Sequence, residues 1–100
     1  MTDPAHAQAA SLDSRKAALD ALARVVDGGE TLEAASDAAL RTYRLEPRDR
    51  AFARLLLMTA LRRHGELEAL IGAALERPLP KDARAIRHIL ALGLVQLLMV

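Results

Sequence analysis

The stretch Pro47-Arg48-Asp49-Arg50-Ala51-Phe52-Ala53-Arg54-Leu55-Leu56-Leu57-Met58-Thr59-Ala60-Leu61-Arg62-Arg63-His64-Gly65 decides the fold. Pro47 suits the first position of a helix, where no N–H is needed and φ is already set. Asp49 falls in the first turn, where a negative charge meets the positive end of the helix dipole. Gly65 supplies the expected stop. Between them Ala51, Phe52, Leu55, Leu56, Leu57, Met58 and Leu61 occupy nearly the whole circumference. A helix apolar on most sides is surrounded by others, so the stretch predicts the central member of a bundle. Phe52, Leu55 and Leu56, with Ile89 from further along, are the expected core.

Working outward, residues 1–13 show little apolar periodicity and read as a flexible lead-in. The helical domain is expected over 14–100, its first helix capped by Ser11 or Ser14. Ala18, Leu22, Val25 and Val26 then mark an inward stripe, and Gly28-Gly29 ends the helix where a left-handed backbone is needed. A second helix fits 32–42, capped by Thr31, with Leu32, Ala35 and Ala39 on its apolar face. A fourth covers 66–76, until Pro78 and Pro80 forbid continuation. The fifth is expected from Lys81 to Leu98, with Ile86, Ile89, Leu90 and Gly93 on one side and Arg84, Arg87, His88 and Ala91 on the other.

Composition agrees with an all-α, antiparallel bundle. The 100 residues include 21 alanines and 19 leucines, and Val25 and Val26 are the only valines or isoleucines before Arg50. Such a chain forms helices readily and strands poorly. Tyr43 and Phe52 are the only aromatic residues, so no platform for stacking a series of bases exists. There is no cysteine, hence no disulfide, thiolate nucleophile or sulfur ligand. The apolar run Ile89–Val100 is interrupted by Gln96 and is shorter than the roughly 20 residues of a membrane span. No signal sequence opens the chain, and a cytoplasmic protein without membrane contact is expected. The apolar Leu94, Leu97, Leu98 and Val100 leave two readings: a dimer through the C-terminal apolar helix, or continuation of the protein. Continuation is the favoured one.

Charge is divided along the chain. Residues 1–46 carry five basic and eight acidic side chains, whereas 47–100 carry nine basic and five acidic. Twelve of the fourteen basic residues are arginine, which grips phosphate or carboxylate with two parallel hydrogen bonds. The candidates for phosphate contact are Arg15 and Lys16 at the first helix, and Arg77, Lys81, Arg84 and Arg87 around the prolines. For the 77–87 cluster, RNA contact and plain solvated surface remain equal readings. Asp49, Arg50 and Arg54 are read first as structural polar residues: Asp49 accepts N–H groups at the helix start, and an arginine reaches a carboxylate or a row of carbonyls. Nucleic-acid contact is their second reading. His6, His64 and His88 share no metal-ligand spacing, and no catalytic residues or metal ligands are expected.

Asp49-Arg50-Ala51-Phe52-Ala53-Arg54-Leu55-Leu56, Thr59-Ala60-Leu61-Arg62-Arg63-His64-Gly65, Leu75-Glu76-Arg77-Pro78-Leu79-Pro80 and Ile89-Leu90-Ala91-Leu92-Gly93 are together similar to the NusB-like domain. The version that stands at the N-terminus of bacterial 16S rRNA cytosine-C5 methyltransferases (the RsmB/Sun/Fmu group) is the nearer match. Arg15, Ala17, Ala18, Leu22, Val25 and Gly28-Gly29 extend the likeness to the first helix. Thr59 stands where the family often has glycine, and Ala60 where it often has threonine.

The resemblance implies an all-α NusB-like bundle, here lacking the last one or two helices. It implies an RNA partner, 16S rRNA in the methyltransferase group, and a catalytic methyltransferase domain downstream that uses S-adenosylmethionine. This chain carries none of that machinery and no cofactor of its own. Its implied role is non-catalytic RNA binding or positioning in rRNA processing. Two alternatives stay open: a free-standing transcription-antitermination factor, whose family contacts RNA through positions matching Arg15 and Lys16, and a helical protein-interaction module.

Overall fold

The computed structural model describes the backbone of residues 4–75 and 83–99, with side chains over 12–75 and 83–98. These residues are helical, without strands: α1 (Pro4–Val26), α2 (Leu32–Tyr43), α3 (Pro47–Arg62), α4 (His64–Ala74) and α5 (Arg84–Leu94), the last running on as a π-helical stretch over Val95–Met99. The all-α expectation holds.

Helix α3 packs against α1, α4, α5 and the π-helical stretch, as a central member should, and shares the centre with α1, which packs against α2, α3 and α5. Ser14, Ala17, Ala18, Ala21 and Leu22 recur at helical spacing and are all buried. Their small size lets neighbouring backbones come close, because interaxial distance follows the side chains at the contact. Ala35, Ser36 and Ala39 of α2 and Ala53, Leu56, Leu57 and Ala60 of α3 are buried as well. The apolar girth of α3 is therefore only partly covered. Leu56 is 0% exposed and Phe52 packs partly buried against the core, but Leu55 is 48% exposed and Met58 is exposed too. The expected burial of Leu55 fails because its face of α3 is left open by the elements packed around the helix, α1, α4, α5 and the π-helical stretch.

Local signals set several helix ends. Ala34 N–H donates to Thr31 Oγ1 at 3.1 Å, so Thr31 caps α2 as expected. Gly29 takes φ +69°, the left-handed turn foreseen at Gly28-Gly29. Pro47 opens α3. Other boundaries move. Helix α1 begins at Pro4, well before the expected caps at Ser11 or Ser14 and inside the segment expected to be a flexible lead-in. An alanine-rich 4–10 propagates a helix without needing an apolar stripe of its own. Gly65 is not a stop but lies in the first turn of α4. The break falls at Arg63 (φ −109°, ψ 23°), whose guanidinium bridges to Glu66 at 2.9 Å.

Helix α5 turns the other way from expectation. His88, Ala91, Leu92 and Val95 face inward, while Ile86 and Leu90 are exposed and Ile89 is 54% exposed. In its second half both faces are apolar, so hydrophobicity does not choose between them. Small Ala91 allows close approach, and His88, only 4% exposed, meets Asp27 at the end of α1. The tautomer with hydrogen on Nε2 donates to Asp27 Oδ2 across 2.8 Å. The part of the fifth helix expected at Lys81 and Asp82 lies outside the described residues. Among the described residues no helix is long and apolar enough to cross a membrane.

Candidate nucleic-acid interface

The six basic candidates do not converge. Arg15 is fastened on two sides: its Nε donates to Gln96 Oε1 at 2.6 Å, and its guanidinium lies 5.7 Å from the centroid of the Phe52 ring. It thereby ties α1 to α3 and to the π-helical stretch, a cation–π contact adding to the hydrogen bond. Lys16 is exposed and borders a cleft of about 210 Å3 with Asp20, Asp27, Tyr43 and His88. Arg87 reaches across to Glu68 of α4 at 3.3 Å. Arg84 is exposed at the start of α5 and forms no ion pair among the described residues. Arg77 and Lys81 lie outside the described residues.

The three residues read as structural sit around the turn between α2 and α3. Arg50 Nε donates to Leu45 O at 2.9 Å, so its side chain folds back onto the turn. Asp49 is half-buried in the first turn of α3, and no N–H of that turn donates to its carboxylate; Glu46, at the cap position, accepts none either. Arg54 is exposed one turn beyond Arg50.

These arginines border a groove of about 730 Å3. Arg50, Ala51 and Arg54 line it from α3, and Asp37, Leu40 and Arg41 from α2. Arg41 Nε donates to the Asp37 backbone carbonyl at 3.3 Å, which leaves its charge unneutralised. Among the described residues none of Arg41, Arg50 and Arg54 is in an ion pair, whereas Arg24, Arg63, Arg87 and His88 are. Arg24 shows the contrast. The hydrogen bond and charge of Asp20, with Glu30 beside it, hold its pKa above the ordinary arginine value. The i, i+4 spacing of Arg50 and Arg54 puts them on one face in the sequence alone. Arg41 was not a candidate, because its meeting with them depends on how the turn sets α2 against α3.

The described residues hold no cluster of three or more His, Asp or Glu fit for a metal ion. The groove itself is a poor fit for S-adenosylmethionine: its three guanidiniums repel a sulfonium cation, and no aromatic side chain lines it for the adenine.

The chain belongs to the NusB family, whose pattern matches residues 12–100. Among curated proteins it is 38% identical over 93 residues to ribosomal RNA small subunit methyltransferase B of Xanthomonas campestris pv. campestris, covering 93% of this chain and 21% of that one. It is 35% identical over 86 residues to the protein of the same name from Vibrio vulnificus, covering 86% of this chain and 20% of that one. The chain thus spans about a fifth of the length of these relatives and matches their N-terminal region. No solved structure matches it at a significant level.

Proposed function

We propose that this NusB-family domain binds and positions RNA for a ribosomal RNA small subunit methyltransferase, and is itself non-catalytic. The observation that carries this reading is the likeness along nearly the whole chain to the N-terminal region of enzymes named for that substrate. The exposed, unneutralised arginines support it, since phosphate contacts position a nucleic acid without reading its sequence. The methyl donor, S-adenosylmethionine, belongs in this reading to a catalytic domain elsewhere in the protein, which acts on 16S rRNA in the cytoplasm. Arg15, Lys16, Arg77, Lys81, Arg84 and Arg87 remain the proposed RNA contacts from sequence; among the described ones, Arg15 and Arg87 are tied to other side chains and Lys16 and Arg84 are not. A dimer through the α4–α5 side is a second reading, favoured by the exposed Leu70, Ile86, Ile89, Leu97 and Leu98 there.

The test is a salt titration of binding to a small-subunit rRNA fragment, followed by fluorescence anisotropy. Binding should weaken linearly in the logarithm of salt concentration, with a slope of about 0.7 per phosphate neutralised on a single strand. Lys16→Ala/Arg84→Ala should lower affinity and slope together. Absence of RNA binding even at low salt would overturn the reading in favour of a protein-interaction module.

A further inference from the structure

We infer that the α2–α3 groove is a binding site for the phosphate backbone of single-stranded RNA, with Arg41, Arg50 and Arg54 as its phosphate ligands. The inference rests on the RNA-binding reading and gives it a place on the molecule that the candidates from sequence did not.

Three observations carry it. The first is charge. Three guanidiniums and one carboxylate, Asp37, border the same groove, and none of the three arginines is neutralised by an ion pair among the described residues. Carboxylates elsewhere do pair with arginines, so the chain leaves these cations open at the one place where they converge.

The second is preorganisation. Arg50 is held by its bond to Leu45 O, and Arg41 by its bond to Asp37 O, each through Nε alone. The outer edge of each guanidinium, with its terminal nitrogens, stays available for the paired hydrogen bonds a phosphate accepts. Leu45 is itself buried, so the turn carrying this arrangement is anchored in the core. Less side-chain freedom is then lost on binding.

The third is shape. At about 730 Å3 the groove is far larger than one phosphate needs, and Leu40, Pro47 and Ala51 give it an apolar floor between the arginines. A flexible single strand can lay ribose and base faces on such a floor, and arginine planes offer stacking where aromatics are missing. The Asp37 carboxylate can accept a hydrogen bond from a ribose 2′-hydroxyl, which would favour RNA over DNA. A rigid A-form helix presents its phosphates on a wide convex surface and fits this concave groove less well.

The experiment uses a labelled single-stranded oligoribonucleotide copied from small-subunit rRNA, with Arg41→Gln/Arg54→Gln compared against wild type and against Arg62→Gln. Arg62 is exposed at the far end of α3, outside the groove. The double variant should bind about tenfold or more weakly, and its salt slope should fall by about 1.4, two contacts at about 0.7 each. Arg62→Gln should leave both nearly unchanged, and Arg54→Lys, which keeps the charge, should keep the slope. Helical circular dichroism and the melting temperature verify that each variant is folded.

A folded double variant with wild-type affinity and slope would overturn the groove while leaving RNA binding by the domain intact. Wild type that binds no RNA fails the underlying reading first. Wild type that binds an acidic peptide but no RNA, with that binding lost in the double variant, would make the groove a protein site and overturn the assignment to RNA.

Discussion

Along α1, α2 and α3 the helix contacts are made by alanine and serine, with a few leucines; along α4, α5 and the π-helical stretch, large leucines and isoleucines stand in solvent. The first region is poorer in large apolar side chains and yet better buried. Close approach of small residues covers area efficiently, whereas Leu70, Ile86, Ile89 and Leu97 add apolar surface that stays exposed. The polar side chains divide similarly. Around α2 and α3 arginines stay open at a groove, while Arg87 and His88 of α5 are spent on Glu68 and Asp27. Hydrophobicity along the sequence is thus a poor guide to burial here, and basic charge a poor guide to availability.

The sharpest way to break this comparison is a pair of adjacent truncations on α3. Leu56→Ala should cost about 2–5 kcal/mol, the transfer energy of the lost atoms plus the cavity they leave. Leu55→Ala, at a side chain half in solvent, should cost less than about 1 kcal/mol. Denaturant unfolding of both proteins measures the difference. Equal losses would mean that Leu55 is covered and that the open face of α3 has been misread.

A smaller effect tests the tie between the two regions. His88 is buried, and Asp27 is its hydrogen-bond partner from α1. Asp27→Ala should cost about 1–3 kcal/mol, because a buried polar group then loses its partner. Asp27→Asn, which can still hydrogen-bond, should cost less. If both variants melt with wild type, α5 is held by apolar contacts alone.

How much of this was legible follows from the range of each signal. Thr31, Gly29 and Pro47 act within one turn of backbone, and their roles could be read directly. The expected burial of Leu55 failed because leucine content does not choose a face, while the alanine stripe of α1 makes close contacts that no hydrophobicity scale singles out. The inward face of α5 failed for a related reason: Ile86, Ile89 and Leu90 outweigh His88 and Ala91 on any hydrophobicity scale, but the hydrogen bond to Asp27 joins residues far apart in sequence. The groove was half legible. Arg50 and Arg54 share a face by spacing, but Arg41 joins them only through the turn at residues 44–46. The same distance dependence hid the clamp of Gln96 and Phe52 on Arg15, which the sequence offered only as a phosphate contact.

That turn provides the smallest expected effect, and it has the opposite sign. Arg44 caps α2 with φ 48° and ψ 50°, its N–H donating to Leu40 O at 3.2 Å. A residue with a Cβ pays about 1–2 kcal/mol for the left-handed conformation. Glycine there escapes the clash but gives up about 0.5–1 kcal/mol through the greater freedom of its unfolded chain. Arg44 is exposed and joins no ion pair among the described residues, so little else is lost with its side chain. Arg44→Gly should therefore stabilise the protein, by up to about 1 kcal/mol. Because Arg44 does not line the groove, RNA affinity should change little beyond the loss of one charge at the neighbouring turn. Destabilisation in denaturant unfolding would show that the Arg44 side chain holds the turn. In that case the setting of α2 against α3 would depend on a contact at the surface of the turn as well as on the alanines that both helices pack against α1.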